Sequence, residues 1–181
     1  HNPKCNMKIA DGAAPIAEML SRGIPVGLGI DSCAVSDNTD FFEAMRTSVF
    51  LQRVHNLNSR IMTGKDALVM ATRKGAEAIK MSDEIGTLEI GKQADMILVS
   101  LEGRRLRPFN DLINNLVFAA NSSDIHTVIV AGDILIDGGK FTRFDADLRF
   151  DQAEEYVAEL LWERGLNIPD YFAVHHRRGE I

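Results

Sequence analysis

The stretch VGLGIDSC, residues 26–33, most constrains what this chain can fold into. An apolar run, Val26 to Ile30, stops abruptly at Asp31. A strand this apolar is covered on both faces, as in a parallel sheet with helices on either side. The flanking segments fit that demand. APIAEMLSRG carries Ile16, Met19 and Leu20 at helical spacing, with Gly23 placed to end the helix. TDFFEAMRTSVFLQRV has Thr39 or Asp40 as N-cap and an apolar face of Phe42, Met45, Val49 and Phe50. TGKDALVMATRKGAEAI reads as a third helix, with Thr63 and Asp66 in a box-like capping arrangement.

After Met81 the periodicity changes. EIGTLEIGKQADMILVSL holds turn glycines and a strand over Met96–Leu101. HTVIVAGDILIDGGKF is two apolar runs around Ala131–Asp133, followed by the turn DGG. NDLINNLVFAA between them reads as a helix. DQAEEYVAELLWERG is a terminal helix with Asp151 as N-cap, Glu154 at the reciprocal position, and a stripe of Ala153, Val157, Leu160 and Leu161. The expected class is α/β: residues 1–80 carry the α/β pattern, 81–145 a small β-rich domain, and 146–181 a closing helix and tail.

Composition excludes several classes. With 45% hydrophobic and 25% charged residues among 181, the chain is globular in type. A net charge of −6 argues against nonspecific nucleic-acid binding. The short basic clusters EGRRLRP and HHRRGE read as solvated surface. Two cysteines, Cys5 and Cys33, make no disulfide framework, so a reducing, cytoplasmic setting is expected. No apolar run is long enough to cross a membrane, and no secretory signal is visible. The opening HNPKCNMKI lacks an initiator Met and is densely polar, which suggests numbering that starts inside a longer protein.

In α/β folds, ligands bind outside the carboxyl ends of parallel strands. Asp31 sits at such an end, where a carboxylate can bind a metal or take a proton. It can equally cap the loop DSCAVSDNTD through its own backbone. His1, Asn2, Cys5 and Asn6 form a second polar group. His55, His126, His175 and His176 read as structural or exposed. A phosphate site at GLGIDS is weak, because the third glycine of a dinucleotide fingerprint is missing.

Residues 1–52, from HNPKCNMKIADG through GLGIDSCAVSDNTDFFEAMRTSVFLQ, resemble the amidohydrolase superfamily. The similarity is to the branch of adenosine- and methylthioadenosine-type deaminases and triazine chloro- and aminohydrolases. EIGTLEIGKQADMILVSL and VIVAGDILIDGGKF resemble that branch's later elements in the same order. The resemblance implies the C-terminal portion of a (β/α)8 barrel, a small β-sandwich appendage built from both chain ends, and a terminal helix. It implies Asp31 as a ligand to one divalent metal (zinc first, iron second) and as a proton shuttle. His1 would lie close to the substrate pocket as a second catalytic candidate, and Ser32 and Asn6 on the substrate side. Metal-activated water would then deaminate or dechlorinate a nitrogen heterocycle. The branch's His-x-His pair does not occur in these residues, and a catalytic zinc needs about three protein ligands plus water. The expectation is therefore a part of a metal hydrolase whose remaining ligands lie in a missing N-terminal barrel segment. The alternative is a non-catalytic fragment or interaction module. Expected partners are a small heterocyclic substrate and further copies of the chain, with neither nucleic acid nor membrane.

Overall fold

A computed structural model of the protein describes residues 1–166. His175, His176 and the HHRRGE cluster lie outside the described residues. Two compact units are present: His1–Gly139 and the residues from Lys140 onward.

The first unit opens with α1 (Pro3–Lys8), a helix the periodicity did not suggest. Proline at its first position is pre-set for a helical turn and has no N–H to leave orphaned. α2 (Ile16–Ser21) follows as expected, with Gly23 left-handed just beyond it. α3 (Cys33–Ser36) is a single turn. α4 (Phe41–His55) begins at Asp40, whose carboxylate accepts the N–H groups of Phe42 and Glu43. Of its expected apolar face, Phe42, Met45 and Val49 are buried. Phe50 is instead half exposed and stacks on Phe118 at 5.7 Å.

The expected third helix is two helices, α5 (Gly64–Ala71) and α6 (Arg73–Ala78). The capping box of Thr63 and Asp66 is present. The break is at Thr72, whose φ of −127° and ψ of −102° leave the helical region. Beyond the break Gly75 lies against Gly27: a Cβ on Gly27 would come within 3.1 Å of the Gly75 Cα. Two facing glycines permit that backbone approach.

β1 (Met96–Val99), α7 (Leu112–Ala119), β2 (Ile125–Val130) and β3 (Asp133–Asp137) complete the unit. β1 ends two residues before the expected Leu101, at an irregularity between Leu98 and Val99. The sheet runs β1-β2-β3, antiparallel, with Met96 opposite Ile129 and Val130 opposite Asp133. Ala131 and Gly132, both at positive φ, close the β2–β3 hairpin, as a two-residue turn of this hand requires. The core gathers α4, α5 and α7 around Met45, Val49, Met62, Met70 and Val117.

One expectation is corrected. No regular strand forms over residues 24–30. A ladder needs a strand neighbour along its length, and among the described residues this segment pairs in strand fashion with His1 alone, its Leu28 N–H donating instead to the Met70 carbonyl at the end of α5. The His1 N–H donates to the Gly27 carbonyl at 2.8 Å, and the Gly29 N–H donates to the His1 carbonyl at 2.9 Å. That pair of bonds has the slanted pattern of parallel strands. Among the described residues the strands of the first unit form one small antiparallel sheet.

The second unit holds β4 (Lys140–Phe141) and α8 (Ala146–Glu163). α8 starts earlier than the sequence suggested. Asp145 is its N-cap, accepting the Leu148 N–H at 3.2 Å, and Asp151 lies inside the helix. None of its residues is buried, the expected stripe included.

Candidate active site

Asp31 terminates the segment that pairs with His1. Its φ is 62°, a left-handed conformation that aspartate tolerates better than most residues. The side chain is exposed but held. Its Oδ1 accepts the Ser32 N–H at 2.7 Å, and its Oδ2 accepts the Cys5 S–H at 2.9 Å. Both bonds favour the ionised form, the thiol's more, so the Asp31 carboxyl is held below the usual aspartate range. The same contact and its burial push the Cys5 thiol up, keeping it a protonated donor.

The loop beyond Asp31 is tied down from α1. Ser32 precedes the single turn of α3, and the Ser36 hydroxyl donates to the Ile30 carbonyl. Asp37, also left-handed at φ 63°, pairs with Lys8 at 2.6 Å. Lys4 and the Asn38 amide both reach the Glu43 carboxylate, at 3.0 and 2.8 Å.

Asp31 and Ser32 therefore stand together at the end of the segment that pairs with His1. His1 lies on the neighbouring backbone, but no hydrogen bond joins its side chain to Asp31 among the described residues. Its Nε2 is buried without a hydrogen-bond partner. Asn6 is half-buried on α1, with its carbonyl accepting the Asp11 N–H. Cys5, the direct partner of Asp31, was noted in sequence only as one of a polar group. Helix α1 is what turns it toward the carboxylate, and the Asn-Pro pair at residues 2–3 was the available signal.

Asp31 can supply one metal ligand, since each of its oxygens keeps a lone pair beyond the bond it accepts. Among the described residues no group of three or more His, Cys, Asp or Glu side chains could enclose an ion. The residues present fit one vertex of a metal site, not a complete one.

Comparison with known proteins decides the family. The model of the amidohydrolase family matches residues 1–135. This chain belongs to the amidohydrolase family. It is 38% identical over 161 residues to the 5-methylthioadenosine/S-adenosylhomocysteine deaminase of Syntrophomonas wolfei, covering 89% of this chain and 37% of that protein. It is 37% identical over 161 residues to the 5'-deoxyadenosine deaminase of Methanobrevibacter smithii, covering 88% and 37%. Among solved structures, an adenosine deaminase from Xanthomonas campestris with bound zinc superposes with a TM-score of 0.85 at 26% identity, over 88% of this chain and 36% of that one. The atrazine chlorohydrolase of Arthrobacter aurescens complexed with zinc gives 0.77 at 27%, over 84% and 34%. This amidohydrolase chain thus spans little more than a third of its relatives' length. Family membership implies the (β/α)8 barrel fold. No helix among the described residues is long and apolar enough to cross a membrane.

Proposed function

We propose that this chain is the C-terminal part of a metal-dependent aminohydrolase that deaminates the purine ring of a 5′-modified adenosine. Residues 1–80 contribute the last strands and helices of its barrel, 81–145 the small β-rich domain, and 146–181 the closing helix and tail. The single observation that carries the reading is Asp31: an exposed, ionised carboxylate fixed at the end of a parallel-paired segment, in a chain 37–38% identical to two adenosine-type deaminases. The chemistry a divalent metal would supply at this site is the activation of water for attack on the ring. Asp31 would be one of the residues holding that metal, and its carboxylate can take and return a proton. His1, with its buried and unpartnered Nε2, sits on the substrate side as a second catalytic group. Ser32 and Asn6 border the ring. The other metal ligands come from outside these residues, so the chain alone is not an active hydrolase. A cytoplasmic homo-oligomer is the expected working form.

The test uses the full enzyme containing this segment. Ammonia release from 5′-deoxyadenosine and methylthioadenosine, with zinc per chain, is measured for wild type and Asp31→Asn. The expected result is loss of at least about a thousandfold in turnover with folding intact. Normal turnover and zinc content in Asp31→Asn would overturn the assignment. Chloride release from a chlorotriazine without nucleoside deamination would move the substrate to the triazine side.

A further inference from the structure

We propose that Cys5 is a positioning residue for this reaction, its thiol setting the orientation of the Asp31 carboxylate. The proposal rests on the metal-ligand reading of Asp31 above. Cys5 and Lys8 lie three residues apart on α1 and so share a face. Each reaches one end of the same loop: Cys5 bonds Asp31 at 2.9 Å, and Lys8 bonds Asp37 at 2.6 Å. Both aspartates are left-handed, at φ 62° and 63°, and the turn of α3 lies between them. A short loop with a non-glycine left-handed residue at each end persists where its surroundings hold it, and α1 supplies a contact at both ends.

The two contacts differ in kind. Lys8 and Asp37 are an exposed pair, and such pairs contribute little to order. Cys5 is buried, and its donor meets the oxygen that the Ser32 N–H leaves free. Together the two donors occupy one lone pair on each oxygen and fix the plane of the carboxylate. Partners of this sort orient the ligand that meets the metal, and their loss weakens metal affinity or turnover by about 10- to 100-fold.

The experiment compares Cys5→Ala, Cys5→Ser, Lys8→Ala and Asp31→Asn in the full enzyme. Readouts are kcat and KM, zinc affinity by competition with a chromophoric chelator, and thermal unfolding. Cys5→Ala is expected to lose about 10- to 100-fold in kcat or in zinc affinity, with KM little changed. Cys5→Ser, which restores a donor, recovers most of the loss, and Lys8→Ala leaves zinc affinity unchanged. Wild-type kcat and zinc affinity in Cys5→Ala overturn the proposal, as does a Cys5→Ser variant no better than Cys5→Ala. An equal loss of zinc affinity in Lys8→Ala also overturns it, since loop order alone would then be responsible. If Cys5→Ala fails to fold, Cys5→Val removes the donor while filling the space, and the same outcomes apply. Asp31→Asn separates the two levels. Its collapse beside a normal Cys5→Ala sinks only the positioning role, whereas a normal Asp31→Asn sinks the reading beneath it.

Discussion

Gly86 and Glu43 show how single residues here answer to neighbours far along the chain. Gly86 stands at φ 95°, and a Cβ there would meet the Ala76 Cβ at 2.6 Å. Gly86→Ala combines a left-handed backbone with a clash against α6, so a loss of about 2 kcal/mol or more is expected in urea unfolding. Glu43 accepts hydrogen bonds from Asn38 and Lys4, which hold its carboxyl below the usual glutamate range. A depressed folded value means stability that is present above the unfolded value of about 4.3 and is lost as pH falls through the folded one. Between about pH 5 and pH 3 the urea midpoint of Glu43→Gln should therefore fall less than that of wild type. A parallel fall in both would show that the ionised Glu43 adds nothing. The Asp66 box partner of Thr63 was legible in sequence because capping is local. The Cys5–Asp31 bond was not, because it joins residues 26 apart.

The helices owe their positions to caps that also reach other elements. Asp40 caps α4 and, through its second oxygen, accepts the Ser122 N–H at 3.1 Å. Asp40→Ala should cost about 1–2 kcal/mol in chemical denaturation, and Asp40→Asn, which keeps an acceptor, clearly less. Arg46 of α4 donates to the carbonyls of Val117 and Ala120 at the end of α7. Arg46→Met leaves those carbonyls unpaired and should cost about 1–3 kcal/mol. A loss below a few tenths would show that water replaces the guanidinium. Element type was largely legible: α2, α4, α7, β2 and β3 follow from periodicity and turn residues. Boundaries were less legible, since a sequence can offer more than one local cap and a helix can break where a distant backbone approaches. Asp145 takes the start of α8 from Asp151, and Thr72 divides α5 from α6 where Gly75 meets Gly27.

At the scale of the whole molecule, apolar surface is left uncovered. Within the first unit Leu57, Leu88 and Ile90 are 91%, 76% and 108% exposed. Isolated exposed apolar residues are ordinary, but large ones in a chain that supplies only part of a barrel favour association. Prepared as these 181 residues, the chain should scatter light as an oligomer, and a stable monomer of 20.0 kDa would contradict this. Sequence alone determined most of the α4 face, the hairpin turn, the change of pattern after Met81 and the carboxylate that closes the apolar run. These depend on neighbours within a few residues, whose spacing is written in the chain. Only the tertiary structure decided that residues 24–30 form no regular strand, that Phe50 faces outward, and that Cys5 grips Asp31. Those outcomes depend on which distant groups arrive in register, and local periodicity carries no record of them.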